Sequence, residues 1–424
     1  MSRTSLLLLA LLAVSSAARG DDLLQVWAQA RAADPTLLQA EDLRDAQDAA
    51  ARTARAALLP QWRLSQDDLR EAGASRAYTT TSSLSQSLID LAALRQWDAA
   101  RSDASAEAER LAAAEQAARQ RVAAAYFGLL TAQAELNTAQ ANEEAFDRQV
   151  REAESRFAGG MSAQVEVDQS RAYRELARSG TLAAELTLSD SREALAQLTG
   201  LPAPTLQPLR ADVAAQPLID SAEAWVARAL KANPGLRALQ LDLQASEQRI
   251  AGARAGHLPT LSLGVDTART RGDGLALSDS PRTGTQISLS LSLPIFAGGA
   301  VSAAVDRAGF QRDAAREQFE AGRRGVQREV RAEYLTVEQG AARFASAQRA
   351  VDAAERALAA TRTGLTLGTR TTTDLLLAIQ TLASAQNAQT EARHGHVLAL
   401  LALHAAAGSL DDAALGAVNA LLAP

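Results

Sequence analysis

The sequence predicts a mixed α/β membrane protein, in which long coiled-coil α-helices carry four transmembrane β-strands per chain. Three observations point there. One structural unit is written twice, an exceptionally long heptad seam runs through it, and each copy holds two strands of alternating polarity. A chain of 424 residues would otherwise suggest about three domains.

The repeat fixes what counts as one element. Trp27 with Asp34-Pro35 matches Trp225 with Asn233-Pro234, and the Leu-Pro pairs Leu59-Pro60 and Leu258-Pro259 follow each at equal distance. Tyr126 pairs with Tyr334, Gly160 with Gly368, Glu166 with Asp374 and Gly200 with Gly408, all at an offset of 208. The earlier landmarks differ by 198 or 199, so the second copy is longer between Pro259 and Tyr334. The chain therefore divides into a leader at 1–20, a first copy at 21–210 and a second copy at 211–424.

In the leader, Arg3 precedes an apolar run from Leu6 to Val14, and Ser16-Ala17-Ala18 supplies small residues for cleavage, the layout of a secretory signal. That run is too short to cross a bilayer as a helix. There is no cysteine. Disulfides, thiolate metal sites and lipid attachment at an N-terminal Cys are thereby excluded, which suits an exported protein. The net charge of −6 with no basic cluster argues against nucleic acid as a partner. Beyond the leader no stretch approaches twenty apolar residues, so any membrane crossing is made by strands.

Taken in order, the first copy reads as a helix, strands near 61–70 and 79–89 around a Gly73 turn, a long helix over 91–157, a tip at 158–166 and a helix to 199. The second reads as a helix over 220–256, strands near 260–270 and 284–295, a long helix over 298–367, a tip at 368–374, a helix to 407 and a short C-terminal segment. The strands rest on strict alternation. Gln286 to Leu293 puts Ile and Leu on one face and Gln and Ser on the other, and Leu261, Leu263 and Val265 repeat the pattern against Ser262, Gly264 and Asp266. Trp62 and Leu64 mark a fainter version in the first copy.

The long helix rests on its seam. Positions 115, 118, 122, 125, 129, 132, 136, 139, 143, 146, 150, 153 and 157 hold spacings of three and four, and only Glu115 and Glu143 among them are charged. Such a sustained heptad marks a coiled-coil-like helix. At ~1.5 Å per residue it is on the order of 100 Å long.

Four strands cannot close a barrel, and open edges are intolerable in lipid. The chain must therefore oligomerise. Three copies give a shared 12-stranded barrel, apolar outside and Ser/Thr-lined inside, with the helices forming a hollow α-barrel beneath it. The competing reading is a structural periplasmic coiled-coil or adaptor protein whose hairpins are soluble.

Particular segments carry a family resemblance. They are Ser85 to Asp90 entering the long helix, Ala124-Ala125-Tyr126-Phe127 within it, Ser292 to Gly299, and Gly368-Thr369-Arg370-Thr371 followed by Asp374-Leu375-Leu376. With the tandem repeat, they make the chain resemble the TolC-type outer-membrane efflux proteins over nearly all of its mature length. The resemblance implies a homotrimer in outer-membrane lipid with a large periplasmic extension. It implies a passive exit duct, not an enzyme, needing no cofactor. It also implies a periplasmic adaptor (membrane fusion) protein and an inner-membrane pump of RND, ABC or MFS type, in a tripartite efflux or type I secretion system.

The same resemblance makes the helical tips the periplasmic gate. Asp374 matches a pore-ring aspartate, Arg370 a closing-link arginine with Glu166 as its counterpart, and Gly160 and Gly368 the tip turns. Leu377 and Leu365 depart from the acid and the tyrosine expected there, which implies a single acidic ring and fewer polar links. His394 and His396, two apart on a helix, face away from one another and offer no metal site.

Overall fold

The computed structural model describes residues 20–71, 75–213, 218–273 and 282–423. The leader, apart from Gly20, and the Gly73 turn lie outside them. Chain order is α1 (Leu23–Ala33), α2 (Pro35–Ala56), β1 (Gln61–Glu71), β2 (Ser75–Ile89), α3 (Leu91–Ala158) and α4 (Gln164–Thr199). The second copy follows with α5 (Ala222–Ala232), α6 (Pro234–Ala255), β3 (Thr260–Asp273), β4 (Arg282–Ser292), α7 (Ala300–Thr366), α8 (Thr372–Ala406) and α9 (Asp412–Asn419). Two compact units result, and each draws on both copies: one comprises 1–38, 113–233 and 326–424, the other 39–112 and 234–325.

The second unit carries the sheet. Its order is β1-β2-β3-β4, antiparallel throughout, so β2 of one copy pairs with β3 of the other. The register lines Trp62, Leu84, Val265 and Ile287 into one apolar row across all four strands. Adjacent rows are polar, as at Ser85, Gly264 and Ser288. A Cβ at Gly264 would come within 2.6 Å of the Ser288 hydroxyl, so glycine leaves room for that side chain across the strand pair. The apolar row faces outward, with Trp62 78% and Ile287 72% exposed. An exposed apolar row on a sheet is a surface made for lipid. Helix α3 packs on α6 through paired charges, Arg110 to Asp242 at 2.6 Å and Arg249 to Asp103.

The first unit is helical. Proline opens α2, and in the other unit α6, where a missing N–H costs nothing. Along α3 eight of the thirteen predicted seam positions are buried, Ala118, Val122, Leu129, Ala132, Leu136, Phe146, Val150 and Ala153, whereas Glu115, Ala125, Ala139 and Glu143 are half-buried and Phe157 is exposed. Tyr126 sits beside this seam, and its hydroxyl donates to the carbonyls of Gln207 at 2.8 Å and Asp21 at 3.2 Å. Asp34 is buried between α1 and α2, where it accepts from Thr36 N–H, Thr36 Oγ1 and Arg121 Nη2 at 2.6–2.9 Å. Burial alone would raise its carboxyl, but those three donors outweigh it and hold the group below the usual aspartate value.

Candidate functional site at the helical tips

Both tips are built from the same turn. After α3, Met161 N–H donates to the Arg156 carbonyl at 2.8 Å and Gly160 N–H to that of Phe157 at 2.9 Å. After α7, Thr369 N–H donates to the Gly364 carbonyl at 2.8 Å and Gly368 N–H to that of Leu365 at 3.1 Å. These are matched Schellman caps, which need a left-handed residue. Gly160 and Gly368 supply it, at φ of 68° and 74°.

The returning helices begin differently. Thr371 caps α8: its hydroxyl accepts from Asp374 N–H at 3.1 Å, and Asp374 Oδ2 accepts from Thr371 N–H at 2.9 Å. That reciprocal pair is a capping box. At the start of α4 the N-cap is Ala163, which has no oxygen to offer. Ser162 stands one position too early, and its buried hydroxyl finds no partner.

The two acids consequently have different surroundings. The Thr371 backbone N–H, then its hydroxyl, and then the Arg370 charge hold the Asp374 carboxyl below the usual aspartate value. Glu166 is instead engaged across to α8, accepting from Thr372 Oγ1 at 3.1 Å. Thr373 Oγ1 adds a second link, to Gln169 Oε1 at 3.1 Å. Among the described residues no ion pair joins Arg370 to Glu166. Arg370 is exposed, and its aliphatic stem lies over Gly364, where a Cβ would meet Arg370 Cγ at 2.6 Å.

Below these links an apolar cluster fixes the tips in place. Phe146, Leu358, Leu375, Leu376 and Ile379 are buried together, with Tyr173 stacked on Phe146 at 5.6 Å. Each such leucine contributes about 1.5–3 kcal/mol by burial. Leu365 packs on this cluster, whereas Leu377 is 48% exposed. The two departures therefore differ: one serves the core and the other faces outward. Thr372, Thr373 and Gln169 escaped the sequence reading, although the Thr371-x-x-Asp374 spacing already signals a capping box.

The histidines are separated as well. His394 accepts or donates at 2.7 Å to Thr131 on α3 and lies 5.6 Å from the Phe127 ring, while His396 abuts Gly340 on α7. Among the described residues no cluster of His, Asp or Glu has metal-binding geometry. No helix there is long and apolar enough to cross a membrane.

The outer membrane efflux protein family matches residues 26–201 and 225–409, most of the chain. The chain belongs to that family. It is 31% identical to the outer membrane protein TolC of Vibrio cholerae, over 96% of this chain and 95% of the relative. It is 28% identical to the alkaline protease secretion protein AprF of Pseudomonas aeruginosa, over 83% and 74%. Among solved structures, the Campylobacter jejuni CmeC outer membrane channel superposes with a TM-score of 0.81 at 20% identity, over 92% of this chain and 86% of that one. As a member of the outer membrane efflux family, the chain is an outer-membrane channel of tripartite export systems and not an enzyme. Membership also implies a trimer, a periplasmic extension and partners in the periplasm and inner membrane.

Proposed function

We propose that the paired helical tips are the periplasmic gate of this channel. The duct is passive, receives small molecules or polypeptides from an RND, ABC or MFS pump through a periplasmic adaptor, and is held closed at its tips. One observation carries this reading: two identical turns present their acids in unlike states. Glu166 is tied to Thr372 and Asp374 is capped but solvent-facing. Thr372 to Glu166 thus takes the place of the Arg370 latch within one chain, and Arg370 acts on the charge of Asp374.

Around a threefold axis, three copies of Asp374 form one ring of negative charge, which favours cations at a constriction. Leu377 adds no second ring. Single-channel conductance of trimers in planar bilayers tests this. Divalent cations reduce the wild-type conductance, and Asp374→Asn removes most of that sensitivity. Equal sensitivity in the two proteins sinks the ring. The secretion proteins among the relatives favour polypeptide cargo, and copurification of a crosslinked trimer with its adaptor identifies the pump class.

A further inference from the structure

The unit that carries the sheet holds a basic groove which the channel function does not use. It lies between α2 and α3, has a volume of about 490 Å³, and is lined by Arg52, Arg55, Arg101 and Trp97 over an alanine floor. Asp48 is the single carboxylate lining it. The Trp97 ring has two guanidinium groups against it, Arg55 at 6.0 Å and Arg101 at 5.5 Å from its centroid. Stacking of that kind fixes the plane of an arginine while leaving its N–H fork free to donate.

Charge pairing around the opposite flank of α3 contrasts with the groove: there Arg95, Arg110, Arg237 and Arg249 all reach carboxylates. Among the described residues no carboxylate forms an ion pair with Arg52, Arg55 or Arg101. Three cations facing one acid in a concave site call for an anion, and the planar fork suits phosphate.

Position identifies the source of that phosphate. Helix α3 starts two residues after β2 ends, so Trp97 lies ~9 Å along the helix from the sheet at 1.5 Å per residue. Exposed apolar side chains continue past the strands, with Leu91 and Leu94 on the first turn of α3 and Ile295 and Phe296 just after β4. They mark the edge of the hydrocarbon. The headgroup layer, roughly 5–8 Å thick on each side, then falls at the next turn. Tryptophan and arginine are the side chains that settle at that level.

We propose that this groove binds the phosphodiester headgroup of an anionic phospholipid from the periplasmic leaflet, one per protomer, with the Arg52, Arg55 and Arg101 forks on the phosphate and Trp97 at the headgroup boundary. The inference goes beyond the gate and does not depend on it. The lipid anchors the helix-proximal end of the barrel at a fixed depth.

Native mass spectrometry of the delipidated full-length trimer, titrated with phosphatidylglycerol or with phosphatidylcholine of the same acyl chains, tests the site. Phosphatidylglycerol binds up to three per trimer and roughly tenfold or more tighter than phosphatidylcholine. The combined change Arg52→Gln, Arg55→Gln, Arg101→Gln brings it down to the phosphatidylcholine level. Single changes Arg55→Gln and Arg101→Gln, whose trimer mass is read in the same spectra, guard against loss by misfolding and give intermediate losses. Equal binding of the two lipids, or unchanged binding by the triple variant, overturns the proposal. So does displacement by millimolar inorganic phosphate, which would make soluble phosphate the ligand.

Discussion

The two tips are one turn used twice, and the contrast between them separates what the backbone requires from what the side chains can vary. Gly160 and Gly368 hold the same left-handed conformation and make the same pair of hydrogen bonds. Two and three residues on, the copies part. The second tip has Thr371 at the N-cap, whereas the first has Ala163 there and its hydroxyl at Ser162. A shared turn therefore leaves the acid at the third helical position free to take two jobs. In α8 it closes a capping box on its own helix, and in α4 it reaches for the neighbour.

The sharpest divergence between copies lies further along these helices, and it carries the largest expected effect. His394 on α8 is buried against Thr131 and Phe127, while its counterpart 208 residues earlier, Leu186 on α4, is 72% exposed. Burial first, and then the Arg393 charge, push the His394 imidazole down from 6.5 to about 4. The folded state thus binds fewer protons than the unfolded chain between those values. Stability is full above pH 6.5 and falls as pH drops towards 4, by up to about 3 kcal/mol per protomer. Thermal unfolding of the trimer across this range shows the loss, and His394→Gln, which can keep the Thr131 bond, makes it shallower, leaving the part due to His396 and His404, whose imidazoles burial also pushes down. An equally steep profile in His394→Gln would assign the acid sensitivity elsewhere.

Backbone substitutions come next. A Cβ at Gly160 or Gly368 meets nothing within 4 Å, so alanine at either costs only the left-handed penalty, about 1–2 kcal/mol. Equal increases in amide exchange at the two tips are expected. Unequal ones would mean that the turns are not equivalent. Loss of the cap ranks third. Thr371→Ala costs about 1 kcal/mol and leaves the Asp374 backbone N–H without its acceptor, while Ala163→Ser supplies the first tip with the oxygen it lacks and protects the first turn of α4. Exchange at the first turns of α4 and α8 reads both changes.

The sequence made the class of fold legible because its signals are periodic. Alternation at 286–293 and the heptad seam of α3 are local patterns, and most seam positions from Ala118 to Ala153 are buried. Pairing of β2 with β3 was not legible, since strand neighbours from different copies leave no mark in either strand. At the tips the same division holds. The caps are local: the positions of Gly160 and Gly368, and the Thr371-x-x-Asp374 spacing, can all be read along the chain. The link from Glu166 to Thr372 joins residues 206 apart and depends on how closely α4 and α8 approach. Arg370 was expected to reach Glu166, but its stem folds over Gly364, a placement that the residue types alone do not dictate.

The smallest effect is the one that decides what the tips do. Thr372 is buried at 8% exposure, and its hydroxyl donates to a carboxylate, so the bond is charge-assisted but partly wet. A hydrogen bond to a charged group contributes ~1.5–3 kcal/mol net, and the water around the half-buried Glu166 brings this one down to the ~0.5–1.5 kcal/mol of a neutral bond. Single changes cannot isolate it, because Thr372→Val leaves Glu166 without a donor and Glu166→Gln leaves Thr372 with a weaker acceptor. A double-mutant cycle of Thr372→Val with Glu166→Ala does, since each of those changes removes the same contact. A coupling energy of about 0.5–1 kcal/mol in urea unfolding is expected, together with a higher open probability in both single variants and no further rise in the double. Additive effects on opening would show that Glu166 and Thr372 act separately. The bond between α4 and α8 would then support the tip without latching it.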